Sequence, residues 1–187
     1  MVAFACASQN LTPDVESPAE ASQSPSAWAR PNPAQLTSRI ICAHIILVIE
    51  LAAASRPSTA APREFFARWV DHGTWRQWSP DTQWARIDGP VQLGARGVLK
   101  PVGGPKTKFT VSEYEPDRVY TDVSSFPGAG LTFRHTVEPA GSGSVLTVRV
   151  WLNGPLAWFW ARTACKGFAA SVPKDLDRLI ELVEASS

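Results

Sequence analysis

Residues 154–184 read GPLAWFWARTACKGFAASVPKDLDRLIELVE, and their spacing decides the fold. Trp158, Ala161, Cys165, Phe168, Val172, Leu176, Leu179 and Val183 step by three and four, which puts them on one stripe of an α-helix. The spacing predicts one long amphipathic helix, kinked or loosened at Pro173, which has no N–H to give its turn. The stripe changes character along its length. Its second half is Val and Leu, suited to close packing. Its first half sets small Ala161 and Cys165 between Trp158 and Phe168, which leaves room against whatever the helix faces. Trp158, Phe159 and Trp160 are consecutive and cannot share one side of a helix.

The segments before it supply the partner surface. QWARID, GVLKPV, the pair within KTKFTVSEYEPDRVYTDVSSF, GLTFRHTVEP and SVLTVRVWL read as strands, with Glu115-Pro116-Asp117-Arg118 and AGSG as hairpin turns. Short links between them imply an antiparallel meander. Upstream, RIICAHIILVIEL from Arg39 reads as a long strand containing His44. SRPSTAAPREFFARWVD then reads as a helix, with Ser58 or Thr59 as its cap and Pro62 in its first turn. TWRQWSPD reads as a second short helix closed by Pro80. The expected class is α+β: a curved antiparallel sheet of about seven strands wrapped on a long C-terminal helix, with two short helices after the first strand. Residues 39–187 form this domain. Residues 1–38, rich in Ser, Ala, Pro and Gln, read as a disordered tail or an over-extended start.

Composition narrows the function classes. A net charge of +1 argues against a partner held by charge, such as nucleic acid or an anionic membrane. Cys6, Cys42 and Cys165 are odd in number and widely spaced, with no disulfide framework and no metal-ligand spacing. No run of 18 apolar residues suggests a transmembrane helix, and the N-terminus lacks a basic signal-peptide region, so a cytoplasmic location is the default expectation. No dinucleotide, phosphate-loop or Ser-His-Asp pattern stands out, and no cofactor or metal is expected.

The order of elements, with "IELAAASRPSTAAPREFFARWVDHGTWRQWSP", "FRHTVEP", "GSGSVLTVRV" and the Gly-Pro that opens the C-terminal helix, resembles the helix-grip superfamily known as SRPBCC. That superfamily includes START lipid-transfer domains and the birch-pollen allergen. The resemblance covers roughly residues 40–185 and is nearest to the polyketide cyclase/dehydrase branch. It implies the helix-grip fold with a cavity between sheet and helix. It leaves several activities open, among them lipid carriage, aromatic cyclisation and chaperone activation, because fold does not settle function.

Alternation places the candidate site residues. Leu131, Phe133, His135 and Val137 share one strand face, taken as the inner one, so His135 points inward. Glu113 falls on the face of Phe109 and Val111. An inward histidine near a carboxylate could move a proton in an aldol cyclisation or dehydration, which makes His135 and Glu113 the catalytic candidates. A lone histidine on an apolar face is more often a packed or singly hydrogen-bonded residue, or a polar handle for a ligand. His72, in the helix-ending DHG, is expected at the surface. The stretch FFARWVDHGTWRQWSPD, residues 65–81, is dense enough in aromatics to be a core plug or a cavity wall. The expected ligand contacts are Trp69, Trp75, Trp78, Phe109, Val111, Phe133, His135, Trp158, Ala161, Cys165 and Phe168. The leading expectation is a module that binds a hydrophobic or aromatic small molecule, lipid or polyketide-like. A cyclase/dehydrase-type enzyme using His135 and a protein-interaction module are the alternatives.

Overall fold

The apolar alternation that predicts the strands appears in space as one sheet whose inner face is nearly continuous with the buried set. The structure, a computed structural model, describes residues 47–186. Within these, β1 (Val48–Ser58) leads to α1 (Pro62–Val70), a 3-10 turn (His72–Thr74) and α2 (Trp75–Trp78). Six strands follow: β2 (Thr82–Ile87), β3 (Arg96–Pro101), β4 (Thr107–Glu115), β5 (Val119–Phe126), β6 (Ala129–Ala140) and β7 (Gly143–Asn153). Two helices, α3 (Ala157–Arg162) and α4 (Phe168–Glu184), end the chain.

The seven strands form one antiparallel sheet in the order β1-β7-β6-β5-β4-β3-β2. Chain neighbours pair from β2 to β7, as the short turns require, and β1 closes the far side on β7. Leu146, Val148, Val150 and Leu152 of β7 are buried on the inner face while Arg149 is exposed on the other. Val172, Leu176, Leu179 and Val183 of α4 are buried at spacings of four, three and four. Helix α4 packs on β1, with α1 and α2 against its flank. Its C-terminal end is fastened to β1: the Glu184 carboxylate accepts from Ser58 Oγ at 2.7 Å and from Thr59 N at 2.9 Å.

Three local expectations need correction. The C-terminal helix is not continuous. Helix α3 ends at Arg162, residues 163–167 form turns, and α4 starts afresh at Phe168. Cys165 N reaches back to the Trp160 carbonyl at 3.0 Å across this break, and α4 then runs through Pro173. Ser58 and Thr59 do not cap α1, because β1 extends through Ser58; Glu64 caps it instead, accepting from Ala61 N at 2.8 Å. His72 is buried rather than exposed, because the 3-10 turn carries its ring inward, where Nε2 meets the Tyr120 hydroxyl at 2.8 Å. The expected tail 1–38, the strand start at 39–46, His44, Cys6 and Cys42 lie outside the described residues.

Candidate functional site

A cavity of about 530 Å3 opens between the inner face of the sheet and the N-terminal half of α4. The aromatic stretch at 65–81 builds one wall of it. Trp69 is fully buried and belongs to the core below, but Trp75 and Trp78 reach the cavity. Trp75 is held by its indole N–H, which donates to the Trp69 carbonyl at 2.9 Å. Its ring stacks on Phe109, and the His72 ring lies against both. Gly97 allows this stack, since a Cβ there would stand 2.3 Å from the Phe109 ring. The opposite wall comes from α4 and the turn before it: Ala164, Cys165, Gly167, Phe168, Ser171 and Val172. Most of these are small, so the helix leaves space where its start faces the sheet.

The floor is β5 and β6, and it is unexpectedly polar. Asp122 and Ser124 share the inner face of β5 with Tyr120, and His135 lies on β6 directly across from Tyr120. Asp122 faces Phe133 across the same pairing, so Asp122 and His135 are diagonal neighbours, a relation that spans about 7–8 Å in antiparallel sheets. Both line the cavity. Asp122 is 2% exposed, and burial alone pushes its pKa up to about 7. Burial pushes His135 the other way, down to about 4, with the Tyr120 carbonyl opposing it weakly. Trp78 Nε1, Ser124 Oγ and His135 Nδ1 are buried without a hydrogen-bond partner among the described residues. At the rim, Asp175 accepts from Ser79 Oγ at 3.0 Å, and burial pushes its pKa up to about 6.

The expected contacts divide accordingly. Trp75, Trp78, Phe133, His135, Cys165 and Phe168 line the cavity, and burial pushes the Cys165 thiol up to about 11. Trp69, Phe109 and Val111 are core residues outside the lining. Ala161 and Trp158 do not reach it either; Trp158 is 48% exposed, because the break after α3 turns that helix away from the stripe of α4. The inward placement of Glu113 is corrected. A β-bulge between Val111 and Glu113 inserts Ser112 and reverses the faces beyond it. Glu113 therefore sits on the outer face. There it accepts from Thr121 Oγ1 at 2.5 Å and Arg134 Nε at 2.8 Å, which hold its carboxyl below the usual range, Thr121 chiefly. Tyr114 takes the inner face in its place and packs edge-on to Phe66. Among the described residues no cluster of His, Cys, Asp and Glu is arranged to hold a metal, and no helix is long and apolar enough to cross a membrane.

Comparison with known proteins agrees with this geometry. Residues 52–184 match the family model described as polyketide cyclase / dehydrase and lipid transport. No curated protein matches. Among solved structures, Ara h 8.0201 superposes with a TM-score of 0.53 at 15% identity, covering 75% of this chain and 99% of that one. Protein MLL2253 from Mesorhizobium loti gives 0.58 at 15% identity, with 75% and 99% covered. The di-domain ARO/CYC StfQ from the steffimycin biosynthetic pathway gives 0.60 at 14% identity, with 75% of this chain and 52% of that one covered. Likeness at these identities shows the helix-grip fold alone; the family match, which spans well over half of the chain, shows more. The chain belongs to the polyketide cyclase/dehydrase and lipid transport family of the SRPBCC superfamily.

Proposed function

We propose that this chain binds a small, mostly apolar molecule carrying hydrogen-bonding groups, held between the sheet and α4. One observation carries the reading. The cavity is walled mainly by aromatic and aliphatic side chains, yet three of its lining residues, Trp78, Ser124 and His135, each keep a buried polar atom without a partner. A buried polar atom left unpaired costs about 1–3 kcal/mol, so a ligand that supplies partners removes a penalty the free protein carries. The cavity volume lies within the range of small-molecule sites. The apolar walls add roughly 25 cal/mol per Å2 of ligand surface covered, before the cost of ordering the ligand.

Titration with the neutral fluorophore N-phenyl-1-naphthylamine tests the reading. Saturable binding of one probe per chain is expected. Ser124→Phe from the sheet and Ser171→Trp from the helix, which fill the space from opposite walls, should each abolish it without loss of fold by circular dichroism. Failure of the wild type to saturate, or unchanged binding in both filled variants, would refute it.

The diagonal of Asp122 and His135 favours a second reading, cyclisation and dehydration. Near neutral pH His135 is an uncharged base and Asp122 is partly protonated. His135 would take the proton from a carbon next to a carbonyl, and the C–H electron pair would form the new C=C bond. Asp122 would protonate the departing hydroxyl, which leaves as water, and a proton passed from His135 to Asp122 would restore both. His135→Ala would then keep probe affinity but lower dehydration of a β-hydroxy ketone by about a hundredfold or more. Equal turnover in the variant would leave binding as the whole function.

A further inference from the structure

The charged groups of the cavity wall are all of one sign. Asp81, Asp122 and Asp175 line it, and among the described residues no lysine or arginine does. His135 is the only base there among the described residues, and its burial keeps it uncharged at neutral pH. Two nearby cations already have partners at the rim. Lys100 donates to the Gly104 carbonyl, and Arg178 reaches Asp175 Oδ1 at 3.2 Å from the exposed side of α4. Asp81 and Asp175 are close enough for the charge of Asp81 to help raise the pKa of Asp175.

Asp122 stands apart from these rim carboxyls. It is almost wholly buried and has neither a hydrogen bond nor an ion pair among the described residues. Its cross-strand neighbours are Val111 on β4 and Phe133 on β6. Tyr120 precedes it on the same face, but the Tyr120 hydroxyl is engaged with His72. Ser124 and His135 complete the floor, and across the cavity α4 presents another acid, Asp175. No packed element supplies the positive charge that a buried carboxylate requires.

We infer that the cavity selects an amphipathic amine, its apolar body against Trp75, Trp78, Phe133 and Phe168 and its ammonium group paired with the Asp122 carboxylate. This rests on the ligand-binding reading above and specifies the ligand class. An ammonium brings the missing charge, and the Phe133 ring beside Asp122 adds a cation–π contact. A carboxylate ligand would meet three acids and no free cation. A neutral alcohol of the same shape would forgo the ion pair. Because Asp122 must ionise to pair, amine affinity should fall as pH drops below about 7, by up to tenfold per unit, and level off above it. Asp175, which also faces the cavity and whose pKa burial raises to about 6, acts in the same direction.

Calorimetric titration of the full chain at pH 8 tests this. Three scaffolds, phenylethyl, naphthylethyl and decyl, are each used as the amine, the alcohol and the corresponding carboxylate. In at least one scaffold the amine should bind at least roughly tenfold tighter than the alcohol, a difference of about 1.4 kcal/mol, and the carboxylate weakest. Asp122→Asn, with Asp122→Ser as a second variant, should lower amine affinity at least roughly tenfold more than alcohol affinity and so erase the amine preference. Alcohols or carboxylates matching the amines in every scaffold would overturn the inference and leave the binding reading standing. So would an amine preference that survives both variants. Binding of N-phenyl-1-naphthylamine with no amine bound would also overturn it. Absence of binding by the neutral probe and by all nine compounds would overturn the binding reading and this one with it.

Discussion

Asp122→Asn should make the protein more stable, and by an amount that grows with pH. The side chain is buried on the cavity floor with no partner among the described residues, and its pKa is raised from 3.8 to about 7. An acid with a raised folded pKa still holds its proton where the unfolded chain has lost it. Folding is therefore progressively disfavoured as pH rises from about 4 to about 7, and the penalty is constant above that. At 1.36 kcal/mol per pH unit the full penalty is about 4 kcal/mol, of which about 3 kcal/mol develops between pH 5 and pH 8. Asparagine keeps the shape and cannot ionise. Urea denaturation of both proteins at pH 5 and pH 8 should show the stability difference shifting in favour of the variant by about 3 kcal/mol, or somewhat less if water enters the cavity. His135 titrates in the opposite sense, with stability lost as pH falls from 6.5 toward 4, but it is common to both proteins and drops out of the difference. Parallel pH profiles for the two proteins would refute the placement of a desolvated, unpaired carboxyl at Asp122, and with it the polar floor on which both functional readings draw.

Three further outcomes follow from the packing. Gly97→Ala places a methyl 2.3 Å from the Phe109 ring and 2.6 Å from the Arg86 carbonyl oxygen, and should lower stability by about 1–3 kcal/mol in urea denaturation, with a changed near-UV spectrum from the displaced stack. Tyr120→Phe removes the 2.8 Å partner of buried His72 Nε2 and should cost about 1–3 kcal/mol by the same measurement. Glu113→Gln removes the charge from an outer-face pair with Arg134 but keeps an amide oxygen that can still accept from Thr121 Oγ1, so stability should change by less than about 1 kcal/mol. Neither it nor Trp158→Ala should move affinity for the neutral probe beyond roughly twofold, since both side chains lie outside the cavity.

The sheet and the packed half of α4 were legible because each depends on a local period. Alternation marked β6 and β7, and Val172, Leu176, Leu179 and Val183 marked the buried stripe. The break at residues 163–167 was not legible, because the apolar spacing carries through it in phase while the backbone does not. Glu113 was misplaced for a related reason: one inserted residue in β4 reverses the faces, and periodicity in a single strand cannot see its partner's register. Asp122 was missed because hydropathy points the wrong way in β5. Val119 and Val123 lie on the outer face, and the inner one carries Tyr120, Asp122 and Ser124. The signal that finds it is the turn. Phe126 pairs with Ala129 across Pro127-Gly128, and counting back from that two-residue loop pairs Asp122 with Phe133.

The tryptophans do not fill the cavity because most are committed elsewhere. Trp69 lies in the core. Trp84 is half-buried under Arg86 and Lys106, Trp160 donates to the Pro127 carbonyl, and Trp158 is exposed beside Arg162. Only Trp75 and Trp78 among the described tryptophans line the space, held at 58° to each other as a wall. Facing them, the turn before α4 contributes Ala164 and Gly167 and the helix contributes Ser171, all too small to reach across. A core selected only for stability would close this gap with aliphatic side chains and would place valine where Asp122 stands, since each unpaired polar group there works against folding. Instead the unsatisfied groups of Trp78, Ser124 and His135 gather with Asp122 around one open volume, while the core around Phe65, Leu146 and Val183 is buried and apolar. Trp69 Nε1 and Asn153 Oδ1 are also unpaired among the described residues, but they stand singly outside the cavity; three such groups and a buried acid share this one volume, where a bound molecule can supply the partner they lack.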